Sequence, residues 1–200
     1  MKIILLIYLI VFSTLSAFSQ AEFKDGYVAT IKGDTIYGSL KMLSETASCA
    51  KVYLLNQQGE RIKIKTKEIT AYKRGEDMYI SKPKERPFRI GGGSNGLMRI
   101  LRTGEIILYE YQYEVTMGSP NQNMAVSSAW KSDFYIERQG ELKLVYVRNF
   151  KNEMATYFAD DPLISERIKE KYYKYEDMEE IVREYNYRTK ISEEKIDERK

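Results

Sequence analysis

The sequence predicts an α+β fold that is mainly β: an antiparallel meander forming a barrel or sandwich, with two or three C-terminal helices packed on it. Three observations carry this. A glycine followed by an acid recurs five times along the chain, at Gly33-Asp34, Gly59-Glu60, Gly75-Glu76, Gly104-Glu105 and Gly140-Glu141. The segments on either side of these turns are rich in Ile, Val, Tyr and Thr and alternate in polarity, the mark of strands with one wet face. Beyond Phe150 the apolar spacing changes from two to three and four, the period of a helix.

The first nineteen residues read as a leader. Met1-Lys2 is a short positive start, Ile3 to Phe12 is apolar, and the small residues Ala17 and Ser19 stand two apart, so cleavage is expected between Ser19 and Gln20. The apolar run is shorter than the ~20 residues of a spanning helix. No later run is long enough either, so no transmembrane segment is expected after cleavage. Residues 20–149 are expected to form the antiparallel β domain. Its five hairpins are "YVATI" to "TIYGSL", "KVYLLN" to "RIKIK", "ITAYK" to "DMYIS", "LMRIL" to "IILYEYQYEV" and "DFYIER" to "LKLVYV". Glycine suits these turns because short hairpin loops demand positive φ. In "RIKIKTK", Ile62 and Ile64 point to one face while Arg61, Lys63, Lys65 and Lys67 point to the other. In "EIILYEYQYEV", Ile107, Tyr109, Tyr111, Tyr113 and Val115 share one face and Ile106 and Leu108 the other. Gly118 to Trp130 is polar and turn-rich and reads as a long loop, functional or mobile.

Residues 150–188 are expected to be a helical segment packed on the β domain. Asp161-Pro162 reads as an N-cap followed by proline at the first helical position, with Leu163, Ile164, Ile168 and Tyr172 as its apolar stripe. A further helix is expected from Glu176-Asp177, with the stripe Met178, Ile181, Val182 and Tyr185. The tail 189–200 is charged and expected to be disordered.

Composition removes several chemistries. There is no histidine among the 200 residues, which excludes Ser-His-Asp and Cys-His catalysis and His-ligated zinc. Cys49 is the only cysteine, so no intrachain disulfide forms and no base stands ready to activate the thiol. A formal net charge of +3 does not argue for nucleic acid. No catalytic residue, cofactor or metal site is expected.

Four constellations remain. "GGGSNG", Gly91 to Gly96, has the letters of a dinucleotide-binding loop, but a hairpin strand follows where a helix must start. It reads as a connector or bulge, at most a nest for a small anion. Between Lys51 and Arg102 stand 13 Lys or Arg against 5 acids, and between Thr103 and Ile164, 5 against 9. Arg61, Lys63, Lys65 and Lys67 are therefore a candidate face for an anionic partner, or else a solvated face guarding a sheet edge. Among 17 tyrosines, Tyr109, Tyr111 and Tyr113, with Trp130, are candidate ligand-contact aromatics, or else half-buried packing. Asp160 and Asp161 read as helix caps rather than as the carboxylate pair of a glycosidase.

"GYVATIKGDTIYGSL" after the leader, "ELKLVYVRNFKNEMATYFADDPLISERI" and "DMEEIVREYN" together resemble a group of uncharacterised exported β-rich proteins of Bacteroidota, with a G-D-T-I-x-G opening strand and short C-terminal helices. The resemblance implies export and this architecture, and no site residues. The expected function is an exported, non-catalytic binding or interaction module of the bacterial cell envelope, periplasmic, outer-membrane-associated or secreted. Its partner would be an envelope protein, a glycan or an anionic lipid surface. The alternatives are a carboxylate-based envelope hydrolase of glycan or lipid, and a peripheral membrane protein docking on anionic head groups through the basic strand face.

Overall fold

The computed structural model of the chain describes residues 23–41, 51–84, 95–117 and 127–197. The expected leader, Cys49, residues 91–94 of the glycine loop and residues 118–126 of the expected loop before Trp130 lie outside them. The fold is mainly antiparallel β followed by three α-helices. Strands β1 (Phe23–Thr30) to β10 (Glu141–Leu144) form the five expected hairpins: β1 with β2 (Thr35–Lys41), β3 (Lys51–Leu55) with β4 (Arg61–Lys65), β5 (Ile69–Arg74) with β6 (Asp77–Pro83), β7 (Asn95–Arg102) with β8 (Ile106–Met117), and β9 (Ser127–Arg138) with β10. All five turn glycines have positive φ, from 59° at Gly75 to 153° at Gly104. That backbone is open to glycine and strained for residues with a Cβ.

The chain divides into two compact units, Met1–Ser81 and Lys82–Lys200. The division falls inside the β region rather than at Phe150, because the helices bury their apolar faces on the later strands.

In the first unit the strand order is β6-β5-β1-β2-β3-β4. Sequence neighbours pair except at one place: after β4 the chain crosses back so that β5 lies beside β1. Val28, Leu40, Val52, Leu54, Ile64 and Tyr72 are buried. The registers Val28↔Tyr72, Leu40↔Leu54 and Val52↔Ile64 put them on one face, where each fully buried aliphatic contributes roughly 1.5–3 kcal/mol. Gly26 and Gly38 face each other across β1 and β2. A Cβ on Gly26 would stand 1.8 Å from the Lys73 carbonyl oxygen, and one on Gly38 2.2 Å from that of Leu55. The glycine of the G-D-T-I-x-G strand is thus a packing requirement.

In the second unit the order is β10-β9-β8-β7. Among the described residues, in neither unit does the run of paired strands close on itself. Ile106, Leu108 and Ile136 form one cluster with α1 (Phe150–Tyr157), α2 (Pro162–Lys169) and α3 (Met178–Asp197) through Phe150, Met154, Phe158, Ile164, Ile168 and the stripe Met178, Ile181, Val182 and Tyr185. Asp161 caps α2 as its sequence predicts, accepting from the Leu163 and Ile164 amides at 3.1 and 3.3 Å.

Four expectations are corrected. Leu163 and Tyr172 are exposed: α2 turns Ile164, Ser165 and Ile168 inward and leaves Leu163 outside, and Tyr172 lies beyond its end at Lys169, where Lys171 turns the chain at φ 63°. Helix α3 runs on to Asp197, through most of the segment expected to be disordered; its Lys190, Glu193, Glu194 and Lys195 are strong helix formers even without an apolar stripe. Strand β9 starts at Ser127, so Trp130 lies within a strand rather than closing a loop. Asn95 and Gly96, the end of the glycine loop, open β7.

One side chain fixes α3 on the sheet. Asn186 accepts from the Ile106 amide at 2.9 Å and donates to the Ile106 carbonyl at 2.8 Å, as a peptide group would. It also fills the space beside Gly104, where a Cβ would meet it at 2.5 Å.

Two stability predictions follow from these contacts. Gly38→Ala forces the backbones of β2 and β3 apart and is expected to lower the unfolding free energy by roughly 2–4 kcal/mol, read as a fall in the urea midpoint at unchanged slope; an unchanged midpoint would refute the packing argument. Asn186→Ala leaves the Ile106 amide and carbonyl without that partner and is expected to cost about 1–3 kcal/mol in the same assay.

Candidate binding surfaces

The strand pattern that buries Val28, Leu40 and Leu54 sends the alternate residues to water. On that wet face of the first unit the register sets Asp25, Ser39, Leu55 and Arg61 in one row across four strands, and Phe23, Lys41, Tyr53 and Lys63 in the next. Lys65 follows on β4, and Lys73 stands beside Tyr27. Arg61, Lys63, Lys65 and Lys67 are exposed, but β4 ends at Lys65 and Lys67 falls in the 3-10 turn Thr66–Glu68, beside Glu68 in the hollow by the β1–β2 turn, so the expected row of four is corrected to Arg61, Lys63 and Lys65. Among the described residues none of these four, nor Lys73, has an acidic partner. Along β4 the three charges stand ~7 Å apart, two strand rises. The guanidinium of Arg61 lies 4.1 Å from the Tyr53 ring centroid and the Lys63 ammonium 5.8 Å from it, cation–π contacts that order the cations without neutralising them. The one acid among the residues of these rows, Asp25, accepts from the Ser39 hydroxyl at 2.7 Å.

Two hollows open on this unit. An open cleft of about 300 Å³ is lined by Asp25, Gly26, Tyr37, Ser39, Asn56 and Gln57, among others. Tyr37 is 64% exposed, its ring 5.8 Å from that of Tyr27 and tilted by 54°. A larger hollow of about 610 Å³ lies by the β1–β2 turn between Ile31, Ile36 and Ile64. Its charged residues Lys32, Asp34, Lys67 and Glu68 are of both signs, so it selects for neither charge.

The tyrosine row of the second unit is built differently. Tyr109, Tyr111 and Tyr113 do share one face of β8, opposite Tyr135 and Asp133 of β9. Tyr109 is only 2% exposed, and its hydroxyl donates to Glu137 at 2.5 Å. Lys82 closes the group, 2.7 Å from Glu137 and 5.5 Å from the Tyr109 ring centroid. Lys84 donates to the Tyr111 hydroxyl at 2.9 Å, and Tyr113 reaches Asp133 at 3.4 Å. Gly96 lies under Tyr111, where a Cβ would meet the ring at 2.7 Å, so the last glycine of the loop serves packing. Every hydroxyl of the row is committed internally. Trp130 is 46% exposed, but it stands opposite Glu114, on the other face of the ribbon from the tyrosines. The structure therefore does not bring the four candidate aromatics together.

Burial raises Tyr109 above its ordinary range, and the hydrogen bond to Glu137 raises it further. Burial also acts to raise Glu137, but the bonds from Lys82 and Tyr109 outweigh it and hold the carboxyl below its ordinary 4.5. Asp133 is raised by burial, against the pull of Tyr113 and Lys131. Asp133 and Glu137 are four residues apart on one strand, roughly 13 Å, which exceeds the carboxyl separation used for glycoside cleavage. Asp160 and Asp161 bind Arg138 and Arg188, each at 2.6 Å. Arg138 also bonds Tyr185 and Glu105, and burial and Asp160 push the Tyr185 hydroxyl up to about 12. Among the described residues no group of three or more Cys, Asp or Glu is placed to hold a metal ion, and no helix is long and apolar enough to cross a membrane.

No protein-family model, curated protein or solved structure matches the chain.

Sequence reasoning selected the β4 cations and missed Tyr37 and the cleft beside it. The signal was present: in "TIYGSL", Ile36 and Leu40 define the inner face and leave Tyr37 and Ser39 outside. The Glu137 pairing gives a pH prediction. A carboxyl whose folded pKa is depressed stabilises the fold above its unfolded pKa and loses that contribution as pH falls through the folded value. Glu137→Gln is therefore expected to be less stable than the parent at pH 7, with the gap narrowing as pH drops below the ordinary value of 4.5. Urea midpoints between neutral and acid pH check this; a constant gap would refute it.

Proposed function

We propose that the protein is an exported, non-catalytic binding module of the bacterial cell envelope, and that it takes an anionic partner on the wet sheet face of its first unit. The observation that carries this reading is the row Arg61, Lys63 and Lys65: exposed, held on one strand, and without acidic partners among the described residues. Cations that serve only solubility are commonly interspersed with acids; here Asp25 is the one acid in the neighbouring rows and it is held by Ser39. A local field of one sign attracts an anion even where the net charge of the whole chain is only +3. Export rests on the leader composition of Met1 to Ser19.

The test is retention on dextran sulfate beads at rising salt. Arg61→Gln/Lys63→Gln/Lys65→Gln is expected to elute at clearly lower salt than the parent. A control of equal charge change in the second unit, Lys151→Gln/Lys169→Gln/Lys174→Gln, is expected to elute nearly with the parent. Equal shifts in the two variants would reduce the effect to net charge and refute the site.

A further inference from the structure

We propose that the cleft around Tyr37 is a sugar subsite and that the anionic partner is an acidic glycan strand, its rings meeting Tyr37 and its carboxylate or sulfate groups meeting Arg61, Lys63 and Lys65. This rests on the reading above and adds the chemistry of the ligand. Tyr37 is the first reason. At 64% exposure it offers its ring face and hydroxyl to solvent, and no described residue bonds that hydroxyl. The apolar face of a sugar ring covers such an aromatic surface while its hydroxyls stay in water. The contrast with Tyr109, Tyr111 and Tyr113, whose hydroxyls are all taken, marks Tyr37 as an uncommitted aromatic, and the one that lines the cleft.

The second reason is the lining of the cleft. At about 300 Å³ it stands at the small end of ligand sites, the scale of a sugar unit rather than of a folded partner. Asp25 holds Ser39 through one carboxylate oxygen, and its other oxygen receives no bond from a described residue. The Gln57 side chain is exposed at the rim. Neutral hydroxyls are matched by such acceptors and donors; a phosphate or sulfate group alone would leave them unused. The third reason is direction. The register runs Asp25, Ser39, Leu55, Arg61 across the sheet, so a ligand seated at Tyr37 and continuing along that row reaches the β4 cations. An anionic bilayer would use the cations and not the cleft, and this separates the two partners.

The experiment is calorimetric titration of the chain with a tetramer of galacturonic acid, a neutral tetramer of galactose, and phosphatidylglycerol vesicles. The acidic tetramer is expected to bind, and the neutral one at least tenfold more weakly. Tyr37→Ala, at an exposed position where circular dichroism is expected to stay unchanged, should weaken the acidic tetramer about tenfold, the loss of one aromatic contact. Tyr37→Phe should keep most of the affinity. If the triple β4 variant loses the acidic tetramer while Tyr37→Ala binds it as the parent does, the sugar subsite falls and the basic face stands. If neither variant matters, both fall. Absence of tetramer binding with retention of vesicles would overturn the glycan in favour of a membrane surface.

Discussion

A β-strand offers its side chains to two faces in strict alternation, so the parity set at each hairpin turn decides what the whole strand will face. In this chain that parity is fixed five times by a glycine held at positive φ. Turn glycines are thereby coupled to chemistry far from the turns. In β4, Ile62 and Ile64 take the face of Val52 and Leu54, and Arg61, Lys63 and Lys65 are turned to water as a row. In β8, the same alternation gives Ile106 and Leu108 to the helices and Tyr109, Tyr111 and Tyr113 to the opposite face. A slip of one residue at either hairpin would bury three cations or expose the core.

Burial makes the helices stick to the second unit, but it does not say where along the sheet they stop. Apolar contact is non-directional; the register of helix on strand comes from polar groups with fixed geometry. Asn186 reads the backbone of Ile106 from both sides, Tyr175 accepts from the Phe134 amide at 3.1 Å, and Arg138 joins Asp160 and Tyr185. Arg167 of α2, Tyr173 between the helices and Glu184 of α3 form a further group. These groups sit at the rim of the apolar cluster, where water competes less and each bond counts for more.

The hairpins, the capped helix at Asp161 and the stripe of α3 were legible because each is a local signal: a turn residue, a cap, a period. The return of β5 to β1 was not, because pairing between strands distant in sequence leaves no local mark. The extent of α3 was missed because a charged tail and a charged helix have the same composition. Of the candidate surfaces, the β4 cations were legible from alternation alone. The tyrosine row was legible as a row, but its role was not. Lys82, Lys84, Asp133 and Glu137 come from other segments, and only their approach reveals that the hydroxyls are spent. Asn186 and Arg138 look like ordinary surface residues until their partners, about 80 and 22 residues away in sequence, are placed beside them.

Aromatic residues count as binding surface according to what their polar ends already do. A buried tyrosine whose hydroxyl serves Glu137 pairs two desolvated groups and stabilises the fold; withdrawing it for a ligand would cost the desolvation of both. Tyr37 carries no such debt among the described residues, and neither do the cations of β4. A ligand bound there would replace water at groups that make no hydrogen bond or ion pair with a described residue, so little of its gain would be offset by broken internal bonds. The same logic separates the two units: the second uses many polar side chains to hold helices to strands, and the first leaves Arg61, Lys63 and Lys65 without acidic partners among the described residues, where an anion would gain most from binding.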